Sequence, residues 1–316
     1  MAAEAPATIP DVVDARIETE ARLTSVFDGF QYCLETRQGH CIEPVTPPEI
    51  EAVLAGSRDL GRRLRAWEAA RQPGAALRED FAAARNLRNR VATELGYSSY
   101  FQLQVADYGM SVAEMMKLMD DALSATQPLY RQLHAHAVKQ LAGRYQRPAP
   151  EEIPAHWLPD AWGRHWPGLA QGMDLDGLFR DRKPEWIVQQ AERFCTSLGW
   201  PPLPRGFWQK SDLYPPPAGS KRRKSVLPST WHIDLEQDVR CLLNVSPSYR
   251  WFETSHQELG QAYYCLAYSN PEVPVMLREG ANRAFHEAIG LLLAGAAGRE
   301  AYLRQAGVLP PGRELD

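Results

Sequence analysis

A glutamate flanked at helical spacing by two glutamines, Gln257-Glu258-Leu259-Gly260-Gln261, stands out as the place where this chain could do chemistry. Residues four apart lie on one face of a helix, so positions 257 and 261 point the same way, with Glu258 beside them. Were those two positions histidine, their imidazoles could share one Zn²⁺. The intervening Glu would act as general base on a metal-bound water, and a Glu from a later helix, Glu287, would complete the ligand set. Here both ligand positions carry Gln. A carboxamide oxygen suits borderline-soft Zn²⁺ far less well than imidazole nitrogen, so the expectation is that no cofactor binds tightly.

The surrounding sequence carries more information than the spacing. Thr254, His256, Glu258, Gly260, Tyr263 and Tyr264 are followed by Leu277, Arg278, Gly280, Ala281, Asn282 and the run 285–290, Phe-His-Glu-Ala-Ile-Gly. Upstream lie Ile153-Pro-Ala-His-Trp-Leu-Pro-Asp-Ala-Trp-Gly-Arg-His-Trp166, Arg65-Ala-Trp-Glu68, Asn86-Leu-Arg-Asn89, Gly96-Tyr97 and Phe207-Trp208. In this order, from about Tyr32 to Glu287, the chain resembles the peptidyl-dipeptidase A family, the angiotensin-converting-enzyme-like metallopeptidases, and most closely their bacterial members. The resemblance implies a mainly α, gluzincin-like helical fold with a small strand element beside the active-site helix. It makes Glu258 the general base, Glu287 a retained metal ligand, and Gln257 and Gln261 the positions of lost His ligands. The family cofactor is zinc.

Three departures temper that implication. The family's substrate-facing strand usually reads His-x-(Ser/Thr)-(Ala/Thr)-Trp, whereas Leu227-Pro228-Ser229-Thr230-Trp231 puts Leu at the His position and removes a backbone donor at Pro228. Leu291 stands where animal members have an Asp supporting the metal through hydrogen bonds. The chain stops at Asp316, before the Lys, His and Tyr that the family uses on substrate carboxylate and intermediate. The expectation is a catalytically inactive relative that retains at most peptide binding. The alternative is an active enzyme with a non-standard metal site through Gln257, Gln261 and Glu287, or one completed by a partner chain. Without metal, Glu258 and Glu287 would repel, so one of them should hold a proton or a cation such as Arg278 or a Lys should enter.

Elements must position these groups, and the periodicity is helical nearly throughout. Helices are expected over 13–28, 48–70, 75–95, 111–145, 185–199, 249–267 and 281–297, the fourth opened by a Ser111/Glu114 capping box and kinked or restarted at Pro128. Its Met115, Met116, Leu118, Met119 and Leu123 read as a core stripe. Strands are expected over 226–231 and 239–245. One incomplete domain is expected over 1–316: an N-terminal extension (1–30), a helical lobe (31–145), a Pro- and Trp-rich crossing (146–225), a degenerate metal-site region (226–297) and a tail (298–316) whose last residues, 310–316, fray. In the crossing, Trp157, Trp162 and Trp166 either line a groove or, as the preferred reading, anchor the loop.

Net charge is −4 and the one basic cluster, Lys221-Arg-Arg-Lys224, reads as a solvated loop, so nucleic acid is not an expected partner. No segment approaches the length of a membrane span. Residues 1–10 lack a basic start followed by an apolar block, so no signal peptide is expected, although family members are typically exported. Cys33 and Cys41 resemble a small disulfide loop of the family; two reduced thiols near a turn is the other reading. Cys195, Cys241 and Cys265 are expected to be buried apolar groups.

Overall fold

The computed structural model describes residues 4–163, 175–217, 219, 220, 222 and 224–312. Trp166, Lys221, Arg223 and the last four residues lie outside them. The chain divides into two compact units, Met1–Gln171 and Gly172–Asp316, with the division inside the Pro- and Trp-rich segment.

The first unit begins with α1 (Pro10–Gly29), followed by a hairpin of β1 (Tyr32–Arg37) and β2 (His40–Val45). The two-residue turn Gln38-Gly39 has φ of 50° and 80°, the left-handed geometry that matches strand twist. No strand was expected here from the sequence, because Gln-Gly is a weaker turn signal than Asn-Gly. Cys33 and Cys41 are joined across the hairpin as a disulfide. The Gln72 side chain accepts from the Cys33 N–H at 3.0 Å and donates to the Cys33 carbonyl at 2.6 Å, which fastens β1 to the helices beneath.

The helix expected over 48–70 is two, α2 (Pro47–Gly56) and α3 (Leu60–Ala69). Glu49 accepts from the N–H and hydroxyl of Thr46 at the start of α2, and Asp59 accepts from the N–H groups of Gly61 and Arg62 at the start of α3. The break lets Arg63 turn back on the end of α2. Arg63 is 1% exposed, and its five N–H groups reach five carbonyls: Leu54 (2.5 Å) and Ser57 (2.9 Å) at the end of α2, and His156 (2.7 Å), Trp157 (3.0 Å) and Leu158 (2.8 Å) beyond. Those orphan carbonyls at a helix C-terminus are the ones a helix cannot satisfy itself. Burial lowers the Arg63 pKa, yet its carbonyl cage and the Tyr145 ring 5.2 Å away accommodate the charge.

Helix α4 (Pro73–Glu94) packs on α1 through Val12, Val13 and Val91, ends at Gly96 with φ +85°, and leads through α5 (Tyr100–Gln104) to α6 (Val112–Tyr145). The Ser111/Glu114 capping box forms as expected: the Ser111 hydroxyl accepts from the Glu114 N–H, and Glu114 accepts from the Ser111 N–H. The helix runs through Pro128 without interruption. Its last turns are anchored by Ala137, Leu141, Ala142 and Tyr145, with Tyr145 against the buried Trp157 ring at 5.3 Å. Met116, Leu118, Met119 and Leu123 are exposed, contrary to the core role expected of them, because no described element of the first unit covers that length of helix. Trp157 anchors its loop, whereas Trp162 lies exposed under the Arg71 guanidinium.

In the second unit α9 (Tyr249–Ala267) is the central element, with α7 (Pro184–Ser197) and α10 (Arg283–Ala297) packed on it. Ile187, Val188, Ala191, Phe194 and Cys195 repeat at helical spacing on α7 and meet Phe252, Leu259, Ala262 and Tyr263 of α9. The short helices α8 (Arg205–Lys210) and α11 (Glu300–Gln305) fall where only loop and tail were expected. β3 (Ser229–His232) and β4 (Val239–Leu242) pair antiparallel with Thr230 opposite Cys241. Val239, Cys241, Leu243 and Val245 alternate inward, and all four are buried. The basic cluster departs from expectation at Lys224: its ammonium is buried and donates to the carbonyls of Asp212, Tyr214 and Leu243, holding the chain that runs beside β4.

Arg63→Leu would leave five carbonyls without donors and is expected to cost the first unit more than about 3 kcal/mol. Denaturant unfolding checks it, with Arg63→Lys failing to rescue because one ammonium cannot reach all five. A loss below about 1 kcal/mol for either variant would contradict the cage.

Candidate active site

Helices α9 and α10 can approach closely because glycine stands at two contacts. A Cβ on Gly290 would lie 2.9 Å from the Gln257 carbonyl oxygen and 3.0 Å from the side chains of Gln257 and Gln261. One on Gly260 would meet Leu293 at 2.7 Å. The contacts at 2.9 and 2.7 Å are closer than real Cβ atoms come and those at 3.0 Å are tighter than most, so the two glycines set the separation across which residues 257, 261 and 287 face one another. The start of α10 is fixed as well: Asn282 accepts from the Phe285 N–H at 2.8 Å, and the Tyr264 hydroxyl of α9 accepts from the Ala281 N–H at 2.8 Å. Gly280 lies against the Tyr264 ring, where a Cβ would clash at 2.8 Å.

Across this contact Gln261, 6% exposed, donates from Nε2 to Oε2 of Glu287 at 3.0 Å. Gln257 donates to the same oxygen at 3.5 Å. Two carboxamide N–H groups thus converge on one carboxylate oxygen. Arg278, one of the cations that could have entered, does not: its buried guanidinium donates to the Val273, Pro271 and Leu235 carbonyls and to Glu236, bracing the loop before α10.

Glu258 is buried and its Oε2 accepts from the Thr230 hydroxyl at 2.6 Å. The same hydroxyl oxygen lies 3.3 Å from the Cys241 sulfur on the paired strand. Burial raises the Glu258 pKa, the Thr230 bond opposes this, and the charge of Glu287 adds to the rise. Thr230 was singled out in the sequence for substrate; its role in holding Glu258 has no local sequence signal, because it depends on β3 lying over α9. Ser229 accepts from the Trp231 indole N–H, and Leu227 and Pro228 are exposed just ahead of β3.

The nearby histidines pack rather than converge. His256 is wholly buried, its Nδ1 2.7 Å from the Phe252 carbonyl, among the rings of Phe194, Phe252 and Tyr302. His286 lies against Tyr264, 4.0 Å from the Cys265 sulfur. His232 Nε2 meets the Ser269 hydroxyl at 3.1 Å. Among the described residues no group of three or more His, Cys, Asp or Glu is arranged to hold a metal ion. Cys195, Cys241 and Cys265 are all buried, and desolvation pushes Cys195 up to about 12, which makes it inert.

The sequence model of peptidase family M2, described as Angiotensin-converting enzyme, matches residues 7–315. The chain belongs to that family. It is 29% identical over 311 residues to angiotensin-converting enzyme of Sus scrofa, covering 93% of this chain and 22% of that protein. It is 30% identical over 305 residues to the enzyme of Mesocricetus auratus, covering 91% and 22%. To angiotensin-converting enzyme-like protein Ace3 of Mus musculus it is 27% identical, covering 91% and 40%. The chain therefore spans well under half the length of these relatives. The mainly helical fold fits the family, and among the described residues no helix is long and apolar enough to cross a membrane.

The buried imidazole of His256 gives a pH test of this packing. Desolvation lowers its pKa to about 4, against about 6.5 for an unfolded chain. The unfolded state takes the proton first, so the stability contribution is full above about pH 6.5 and is lost as pH falls towards 4, by about 3 kcal/mol in all. His256→Phe is expected to remove this component, so its unfolding free energy should fall by about 2 kcal/mol less than wild type between pH 7 and 4.5. Equal pH dependence in the two proteins would contradict it.

Proposed function

We propose that this chain is a peptidyl-dipeptidase relative that has lost metal-dependent hydrolysis and retains a strand suited to holding peptide. One observation carries the reading: Gln261, with Gln257 behind it, donates N–H to Glu287 where a metalloprotease would need three electron-pair donors facing one ion. This donor set does not fit zinc. Two of its members present N–H towards the third, their carbonyl oxygens are neutral, and Leu291 offers no support from behind. Bound zinc would have to break both hydrogen bonds and turn both amides over. Oxygen donors would suit a harder ion better, but the family's chemistry rests on zinc holding and polarising water.

Peptide binding draws support from β3. Hydrogen-bonded to β4 on one side only among the described residues, it offers its other edge to an extended chain, with Trp231 and Leu227 exposed beside it. Addition of a strand at such an edge gives affinity through backbone bonds. Pro228 shortens the usable edge, so binding should be weak.

The second reading is a working hydrolase that uses a harder metal through Gln257, Gln261 and Glu287, or one completed by a partner chain. Its support is that Glu258 is kept and held by Thr230, and that the relatives are much longer.

Purified protein dialysed against zinc is expected to carry far less than one ion per chain and to release no dipeptide from peptide C-termini. Gln257→His with Gln261→His should gain stoichiometric zinc, because two imidazoles and Glu287 restore a three-ligand set. Metal analysis and a dipeptide-release assay decide between the readings. Chelator-sensitive release by the wild type would overturn the first, and a double variant that takes up no zinc would show that Glu287 is not in ligand position.

A further inference from the structure

The end of β3 is fastened to the end of α9 by one imidazole whose proton its neighbours place. Nε2 of His232 lies 3.1 Å from the Ser269 hydroxyl, and that hydroxyl donates its single proton to the Cys265 carbonyl at 2.7 Å. Ser269 then has only lone pairs to offer His232, so the hydrogen bond runs from Nε2–H to Ser269. The neutral ring carries its proton on Nε2 and a bare lone pair on Nδ1. Nδ1 is buried and has no hydrogen-bond partner among the described residues. The side chain as a whole is 5% exposed, with the Tyr268 ring against it at 5.5 Å.

Charging that ring places a second proton on Nδ1, with no acceptor in hydrogen-bond geometry, and holds the charge away from water. Burial is the largest influence against the imidazolium, and His286 of α10 also opposes it. Asp234, 4.0 Å from Nε2, the backbone at Glu236, and Asp238 favour it, all from the turn that follows β3. Both aspartates are engaged elsewhere: Asp234 accepts from the Glu236 and Asp238 N–H groups, and Asp238 is paired with Lys210 and Arg240. The Glu236 carboxylate is paired with Arg278. From α9, burial raises Tyr268 and Cys265, so both stay uncharged. The balance holds the His232 pKa below its ordinary value.

We propose that this contact is an acid-released fastening: neutral His232 holds the end of β3 on α9, and protonation lets it go. A released imidazole takes a proton at about pH 6.5, and the fastened one only below that. The fastening is therefore full above about pH 6.5 and weakens as pH falls, by about tenfold at most per pH unit. β3 carries Thr230, which holds Glu258, and is the strand suited to peptide, so the release acts on the site proposed above. It is read without peptide and without metal, which keeps its failure distinct from failure of that reading.

Amide hydrogen exchange of the whole chain tests it, read on the peptide containing residues 229–233 as protection relative to the free-chain rate at pH 7 and pH 5. Wild-type protection is expected to fall between the two, with peptides of α7 as the reference for any global loss of stability. His232→Gln keeps an N–H for Ser269 and cannot be charged, so its protection should be the same at both pH values. His286→Gln should still lose protection as wild type does. Imidazole nitrogen NMR shifts at pH 7 give a second reading that needs no variant, with the His232 proton expected on Nε2 alone. Equal wild-type protection at pH 7 and pH 5, an equal fall in His232→Gln, or a His232 proton on Nδ1 at pH 7 would each overturn the proposal.

Discussion

The close approach of α9 and α10 is the constraint on which the second unit depends. Gly260 and Gly290 bring the helices to a separation at which one added methyl group collides with backbone or with Leu293. At that separation Gln257, Gln261 and Glu287 must meet, and what they do is settled by their chemistry. Imidazoles there could bind a metal with lone pairs; carboxamides bind the carboxylate with their N–H groups. Through Glu287 these two amides tie α9 to α10.

Glu258 is held by the same packing. It lies between β3 and α9, bonded to Thr230, with its pKa raised by burial and by Glu287. The supporting parts remain in place around it: the Tyr264 hydroxyl holding the start of α10, Arg278 bracing the preceding loop, and His256 packed neutral in the core. The first unit solves a different problem with one residue, since Arg63 satisfies the end of α2 and the loop at 156–158 together.

Much of this was legible in the sequence, for identifiable reasons. The helices over 249–267 and 111–145 carry strong periodicity, and the Ser111/Glu114 box is local chemistry that survives folding unchanged. The pairing of positions 257, 261 and 287 followed from family resemblance and not from spacing alone. What failed depended on contacts distant in sequence. The break at 57–59 exists because Arg63 needs the end of α2; Lys224 is buried because three carbonyls converge on it; Thr230 meets Glu258 only once β3 is laid on α9. The stripe on α6 misled for the opposite reason: apolar periodicity reports that a face wants covering, and says nothing of whether this chain supplies the cover.

The central claim is that N–H groups, not electron pairs, point from positions 257 and 261 towards Glu287. A crystal structure determined after prolonged exposure to zinc, with diffraction recorded on both sides of the zinc absorption edge, tests it directly. The account predicts no anomalous peak between the three side chains and a Gln261 Nε2 to Glu287 distance that stays near 3.0 Å. A peak coordinated by the carbonyl oxygens of both glutamines and by Glu287 would contradict it.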